Sequence, residues 1–206
     1  MANPGPTTSR RALLGALTTA PIAIRPVKAV MSPWQIALAD LHEVYDHEPA
    51  SPQRSKAGRS LSRFRYHNAE RFFLKVGAQY ARTGEPLMYA SGIVVQLALS
   101  AHLLDIGFDD QWCARQIGLH VAQSLAYANA TGLGHDCPDM ARLAMVLSPY
   151  WQWNRVRLFG EPEPDDGGFT VDQINPLLRA LLDRVHAVTG HPRPNGWRLH
   201  RQEGRS

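Results

Sequence analysis

The sequence predicts an all-α fold: an irregular bundle of five or six helices around a buried apolar central helix at about residues 86–104. Three observations carry that expectation. Apolar residues recur at helical spacing in several separate windows. No window alternates as a half-buried strand would. The 19 residues from Pro86 to Leu104 contain no charge at all. With 206 residues, 44% of them apolar, the chain is long enough to bury a core without disulfide or metal staples. It shows no internal repeat of 20–50 residues.

The first helix opens at Ser32-Pro33-Trp34-Gln35. Serine caps it, proline occupies the first turn where a missing N–H costs nothing, and glutamine three residues on completes a capping box. Trp34, Ala37, Leu38, Leu41, Val44 and Tyr45 then form one apolar face. Residues 49–62 hold two prolines, a glycine and four serines without periodicity, and read as a mobile loop. A second helix is expected from about Asn68 to Arg82, with Ala69, Phe72, Phe73, Val76 and Tyr80 inward.

The uncharged 86–104 segment approaches the length of a membrane span. Ser91, Gly92, Gln96, Ser100 and His102 make it a poor one, and acids (Glu85 and Asp105) flank it on both sides. A helix buried on all sides fits better, so no membrane span is expected. Asp109 caps a fourth helix running to about Thr131 and stopped by Gly132, with Cys113, Ile117, Val121 and Leu125 inward. A fifth starts near Pro138 and carries Leu143, Val146 and Leu147. Ser148-Pro149 kinks or ends it, and Tyr150, Trp151 and Trp153 follow. Residues 160–168 form an acidic loop. The last helix starts at Thr170, with Gln173 as box partner, or at Asn175-Pro176. Its core face is Leu177, Leu178, Leu181, Leu182, Val185 and Val188, and Gly190 stops it. The body is thus one helical domain over residues 30–190, and 191–206 read as a loose C-terminal tail.

The first 29 residues are different in kind. They carry Arg10, Arg11, Arg25 and Lys28 and no acid, so the whole formal charge of +4 belongs to them; the remainder has 18 basic and 18 acidic residues. A polar start meets Arg10-Arg11, an uncharged run extends from Ala12 to Ile24, and small residues precede a cut after Ala29, the layout of a secretory signal. Ser9-Arg10-Arg11-Ala12-Leu13-Leu14 resembles the twin-arginine export signal of bacteria, with Arg10, Arg11, Leu13 and Leu14 at its signature positions. That resemblance covers residues 1–29 only. It implies passage through the export machinery after folding, and a periplasmic or extracellular location; without use of the leader the protein stays cytoplasmic.

Several site chemistries can be weighed on the body. His135-Asp136-Cys137 offers imidazole, carboxylate and thiolate, but adjacent residues rarely converge on one ion and no second ligand pair stands at zinc-site spacing, so a helix-start role and no metal is the expectation. His102 and His120 could meet in the core as ligands, although a buried histidine satisfied by hydrogen bonds is commoner. Cys113 lies on a core stripe; with Cys137 it could form a disulfide if the chain is exported. From Gln53 to Arg82, eight bases (Arg54, Lys56, Arg59, Arg63, Arg65, Arg71, Lys75 and Arg82) face one acid, Glu70, with Phe64, Tyr66, Phe72 and Phe73 interleaved. Arginine pairs with phosphate and aromatics stack on bases, so nucleic acid is a possible partner. Solvated charge, neutralised by the acidic stretches at 105–110 and 161–166, is favoured over it.

No phosphate loop, nucleophile elbow or His-Glu-x-x-His motif occurs, and no catalytic residue or cofactor can be named. The expectation is an exported helical protein with a non-catalytic binding or assembly role. The alternatives are a cytoplasmic nucleic-acid-associated protein using residues 54–82, and a metal- or cofactor-dependent periplasmic enzyme.

Overall fold

The computed structural model describes residues 33–78, 83–156, 159 and 161–194. The leader, with Arg10, Arg11, Leu13, Leu14 and Ala29, lies outside them, as do Ser32, Tyr80 and Arg82. Among the described residues there are seven α-helices and no strand. They are α1 (Pro33–Tyr45), α2 (Lys56–Phe73), α3 (Gly84–Ile106), α4 (Asp110–Trp112), α5 (Val121–Ala130), α6 (Pro138–Val146) and α7 (Val171–Thr189). A π-helical turn, Cys113–Ile117, continues α4, and a 3₁₀ turn, Tyr150–Asn154, follows α6.

The uncharged segment is the hub. Helix α3 packs against α2, α5, α7 and the 3₁₀ turn. From Ala98 to Asp105 every residue on it is buried. A helix apolar around its whole circumference has to be enclosed by protein or lipid. Here 72% of its most apolar 18-residue window lies inside the protein. The flanking helices are amphipathic, and the clearest is α7, whose buried Ile174, Leu178, Leu181, Leu182 and Val185 keep the 3–4 spacing. Thr170 and Gln173 form its capping box, which settles the start in favour of Thr170, and Gly190 ends it in a left-handed conformation.

Five expectations need correction. The segment 49–62 is not all loop, because α2 begins at Lys56, where the Ser55 hydroxyl accepts from the Gly58 N–H at 3.0 Å. Its inward stripe is Ser62, Tyr66, Ala69 and Glu70, a helical spacing invisible to a search for apolar residues because two members are polar. The helix also stops at Phe73, well short of Arg82. The expected fourth helix is two: Gly118, at φ 58° and ψ −125°, interrupts it between the π-helical turn and α5. That backbone region is open essentially to glycine alone. On α1 the apolar stripe is narrower than expected, since Trp34 is 40% and Val44 71% exposed while Leu38 is buried. The tail is also held further along than expected: His191 is fully buried and Arg193 pairs with Asp183 at 2.6 Å.

Gly107 closes α3 with φ 111°, and its carbonyl accepts from the Gln53 N–H at 2.9 Å. A β-carbon there would stand 2.4 Å from the backbone carbon of Gln53. Gly107→Ala is therefore expected to cost roughly 1–3 kcal/mol from backbone strain alone, with the 53–54 segment displaced in addition. Urea denaturation checks this. A loss under about 0.5 kcal/mol, the range of an ordinary surface change, would mean that the contact yields freely.

Candidate functional site

The residues singled out by sequence are mostly absorbed by structure. Cys137 is the N-cap residue of α6, and Asp139 lies in its first turn, where a carboxylate suits the helix dipole. Asn129 holds the preceding loop, its Oδ1 accepting from the His135 N–H at 2.9 Å. Among the described residues no three of His, Cys, Asp and Glu gather as a metal-holding group. His102 and His120 do not meet: His120 is exposed before α5, whereas His102 is buried with Nε2 3.3 Å from the Thr131 hydroxyl. That hydroxyl donates to the Tyr127 carbonyl, so His102 Nε2 is the donor. Cys113 and Cys137 are free thiols, and burial pushes the Cys113 thiol up to about 12.

Three bases of the basic segment meet acids within the fold. Arg59 Nη1 lies 3.5 Å from the buried Asp105 carboxylate, and Arg54 Nη2 4.0 Å from it. Arg65 pairs with Asp110 at 2.5 Å. The interleaved Tyr66 is fully buried, and Lys75 sits over the Phe72 ring. Phe64 stays 62% exposed.

A serine, a histidine and an aspartate meet in a way the sequence did not suggest. Ser62 donates to the Ala101 carbonyl at 2.5 Å and lies 2.6 Å from His191 Nε2. With its one proton given away, the serine must accept from Nε2–H. Asp105 Oδ1 is 3.7 Å from that same nitrogen. A proton relay requires the hydroxyl and the carboxylate on opposite ring nitrogens. Here both oxygens share one nitrogen, and His191 Nδ1 is buried without a hydrogen-bond partner among the described residues. Ser62 and His191 are fully buried and Asp105 nearly so. The trio fastens the end of α7 to α2 and α3.

The arrangement best suited to a ligand lies elsewhere. A cavity of about 290 Å³ opens between α2, α3, the π-helical turn and α5. Arg65 reaches it from α2, Gln96 and Ser100 from α3, and Asp110 from α4. Arg65 Nη1 donates to the Ser100 hydroxyl while Nη2 holds Asp110. Gln96 donates through Nε2 to the Gly118 carbonyl at 3.1 Å, but its Oε1 is buried and has no hydrogen-bond partner among the described residues. Leu103, Ile117 and Leu119 supply apolar wall. A concave, largely apolar space with a few converging polar groups is the usual form of a small-molecule site. One wall is a π-helical turn, a feature frequent at functional sites.

No family model matches the chain, and no curated protein or solved structure resembles it beyond chance. The cavity must therefore be read from its own chemistry. Its polar residues come from distant elements, so no local sequence pattern contains them. Gln96 and Ser100, one helical turn apart in an otherwise apolar run, were the available signal.

Proposed function

We propose that the chain is an exported helical protein whose folded body binds a small polar molecule in the cavity beside the π-helical turn, without catalysing a reaction on it. The observation that carries the reading is the convergence of Arg65, Gln96 and Ser100 on a cavity walled by Leu103, Ile117 and Leu119. The groups lining the cavity bind and orient; the cysteine among them is held protonated by burial and is a poor nucleophile.

Export rests on the leader's likeness to the twin-arginine signal. A reporter fused after Ala29 is expected to reach the periplasm of a bacterium carrying that pathway. It should stay in the cytoplasm when Arg10→Lys and Arg11→Lys are combined. A reporter that is cytoplasmic in both forms removes the export half of the proposal and leaves the cavity to be judged by binding.

A further inference from the structure

Helix α2 turns one sign of charge outward. Its exposed residues are Lys56, Ala57, Arg59, Ser60, Arg63, Phe64 and Arg71, four of them basic and none acidic. The one acid on the helix, Glu70, is buried against Arg179. Arg59 lies 3.5 Å from Asp105, yet 53% of its side chain stands in solvent. Lys56, Arg63 and Arg71 have no acid within ion-pair distance among the described residues. The acids expected to neutralise this face are engaged elsewhere. Asp105 and Asp110 meet Arg54, Arg59 and Arg65, Glu161 meets Arg155, and Asp165 and Asp166 accept from the Gly167 and Gly168 N–H groups.

Helix stability does not ask for such a face. Arg71 suits the C-terminal end, but Lys56 and Arg59 stand near the N-terminus, where the helix dipole favours acids. Arg59 and Arg63 are like charges four residues apart, a spacing at which opposite signs stabilise and equal signs repel. From Lys56 to Arg71 the bases extend over about 22 Å of helix, with Phe64 62% exposed among them. One aromatic side chain is too little apolar surface to seat a helix in a lipid interface. Cations that neutralise phosphates, with an aromatic ring free to stack on an unpaired base, are the usual parts of a surface that carries single-stranded nucleic acid. We infer that the outward face of α2 binds single-stranded nucleic acid, with Lys56, Arg59, Arg63 and Arg71 on backbone phosphates and Phe64 stacked on a base. This surface does not include the cavity, and the inference stands apart from the binding role proposed above.

The test is fluorescence anisotropy of a labelled oligothymidylate of about 15 nucleotides, titrated with the full chain in salt from about 50 to 200 mM. Binding should weaken with salt at a log–log slope of roughly −3, about 0.7 for each of four phosphate contacts. Arg63→Gln combined with Arg71→Gln should lower affinity about tenfold at the low-salt end and roughly halve the slope, while circular dichroism and the thermal midpoint stay close to the parent's. Phe64→Ala should weaken the strand about fivefold and leave the slope unchanged. A duplex of the same length should bind less tightly than the strand. Absence of strand binding at low salt overturns the inference. Binding that the double variant leaves unchanged overturns the assignment to α2 and moves the contact to other bases, such as those of the leader. A duplex bound as tightly as the strand, with Phe64→Ala silent, overturns the single-strand class. If vesicles containing phosphatidylglycerol bind and the strand does not, the partner is a lipid surface and nucleic acid is overturned. A salt-sensitive dimer in sedimentation that the double variant dissolves, again without strand binding, assigns the face to a second copy and overturns it likewise.

Discussion

Replacing Arg179 with methionine is expected to destabilise the protein by roughly 3–5 kcal/mol, the usual penalty for removing one partner of a buried ion pair. Glu70 sits on the inward stripe of α2 with its side chain only 1% exposed. Arg179 of α7 grips it with both arms, Nη1 to Oε2 and Nη2 to Oε1, each at 2.9 Å. The Tyr66 hydroxyl donates to Oε1 at 2.6 Å. Burial, followed by this bond to Glu70, holds the tyrosine well above its ordinary titration range, so it remains a donor. Methionine fills much of the volume of arginine but strips the carboxylate of its bidentate cation in a low-dielectric site, where a charge is expensive to leave unmatched. Combining Arg179→Met with Glu70→Leu should recover most of the loss, because the charge needing compensation is then gone. Denaturant unfolding of both single variants and the double variant forms the cycle that measures this. A single variant within about 1 kcal/mol of the parent, as for an exposed pair, would show that the α2–α7 seam does not depend on the pair.

Acid should loosen the same core through histidine. Burial, the largest influence, lowers the pKa of His102 from 6.5 to about 4, against the opposing pull of Asp105. In the unfolded chain the ring takes up a proton below about 6.5, while in the folded protein it resists until about 4. The unfolded state therefore binds more protons in that window, and folding stability falls as pH drops through it. The shift corresponds to about 3 kcal/mol lost by pH 4 and none lost above pH 7. His42, His47, His135 and His191 are also lowered, each mainly by burial, and act in the same direction. Urea midpoints measured from pH 7.5 to 4 should fall steeply in the parent and less steeply in His102→Gln. An equal slope in the two proteins would place the acid sensitivity elsewhere.

Much of the fold was legible because its elements carry redundant local signals. The last helix announces itself by a capping box, a leucine stripe and a terminal glycine, and each was found where expected. The central helix was legible from the absence of charge over 86–104, which leaves burial as its only stable setting in water. Helix α2 was misread for a physical reason. Its inward face uses Ser62 and Glu70, whose polar atoms are satisfied by His191, Ala101 and Arg179. Those partners lie from 39 to 129 residues away along the chain, so no local pattern contains them. The break at Gly118 was missed because the apolar spacing of Cys113, Ile117, Val121 and Leu125 runs straight through it; all four are buried, on two different segments. The cavity was illegible for the same reason, since its polar groups are contributed by α2, α3, α4 and α5.

The widened turn between α4 and Gly118 has a consequence for how the chain tolerates length changes. The Gly118 N–H reaches back five residues to the Cys113 carbonyl at 2.9 Å, one residue further than an α-helix allows. Deleting a residue between Ala114 and Gln116 would let the loop close to ordinary α spacing with its hydrogen bond intact. Five residues at the wider spacing and four at the α spacing cover nearly the same arc, so Gly118 and the segment after it would keep their places. Ile117 would stay in the core, so the widened turn is the place where this chain can give up a residue without repacking its centre.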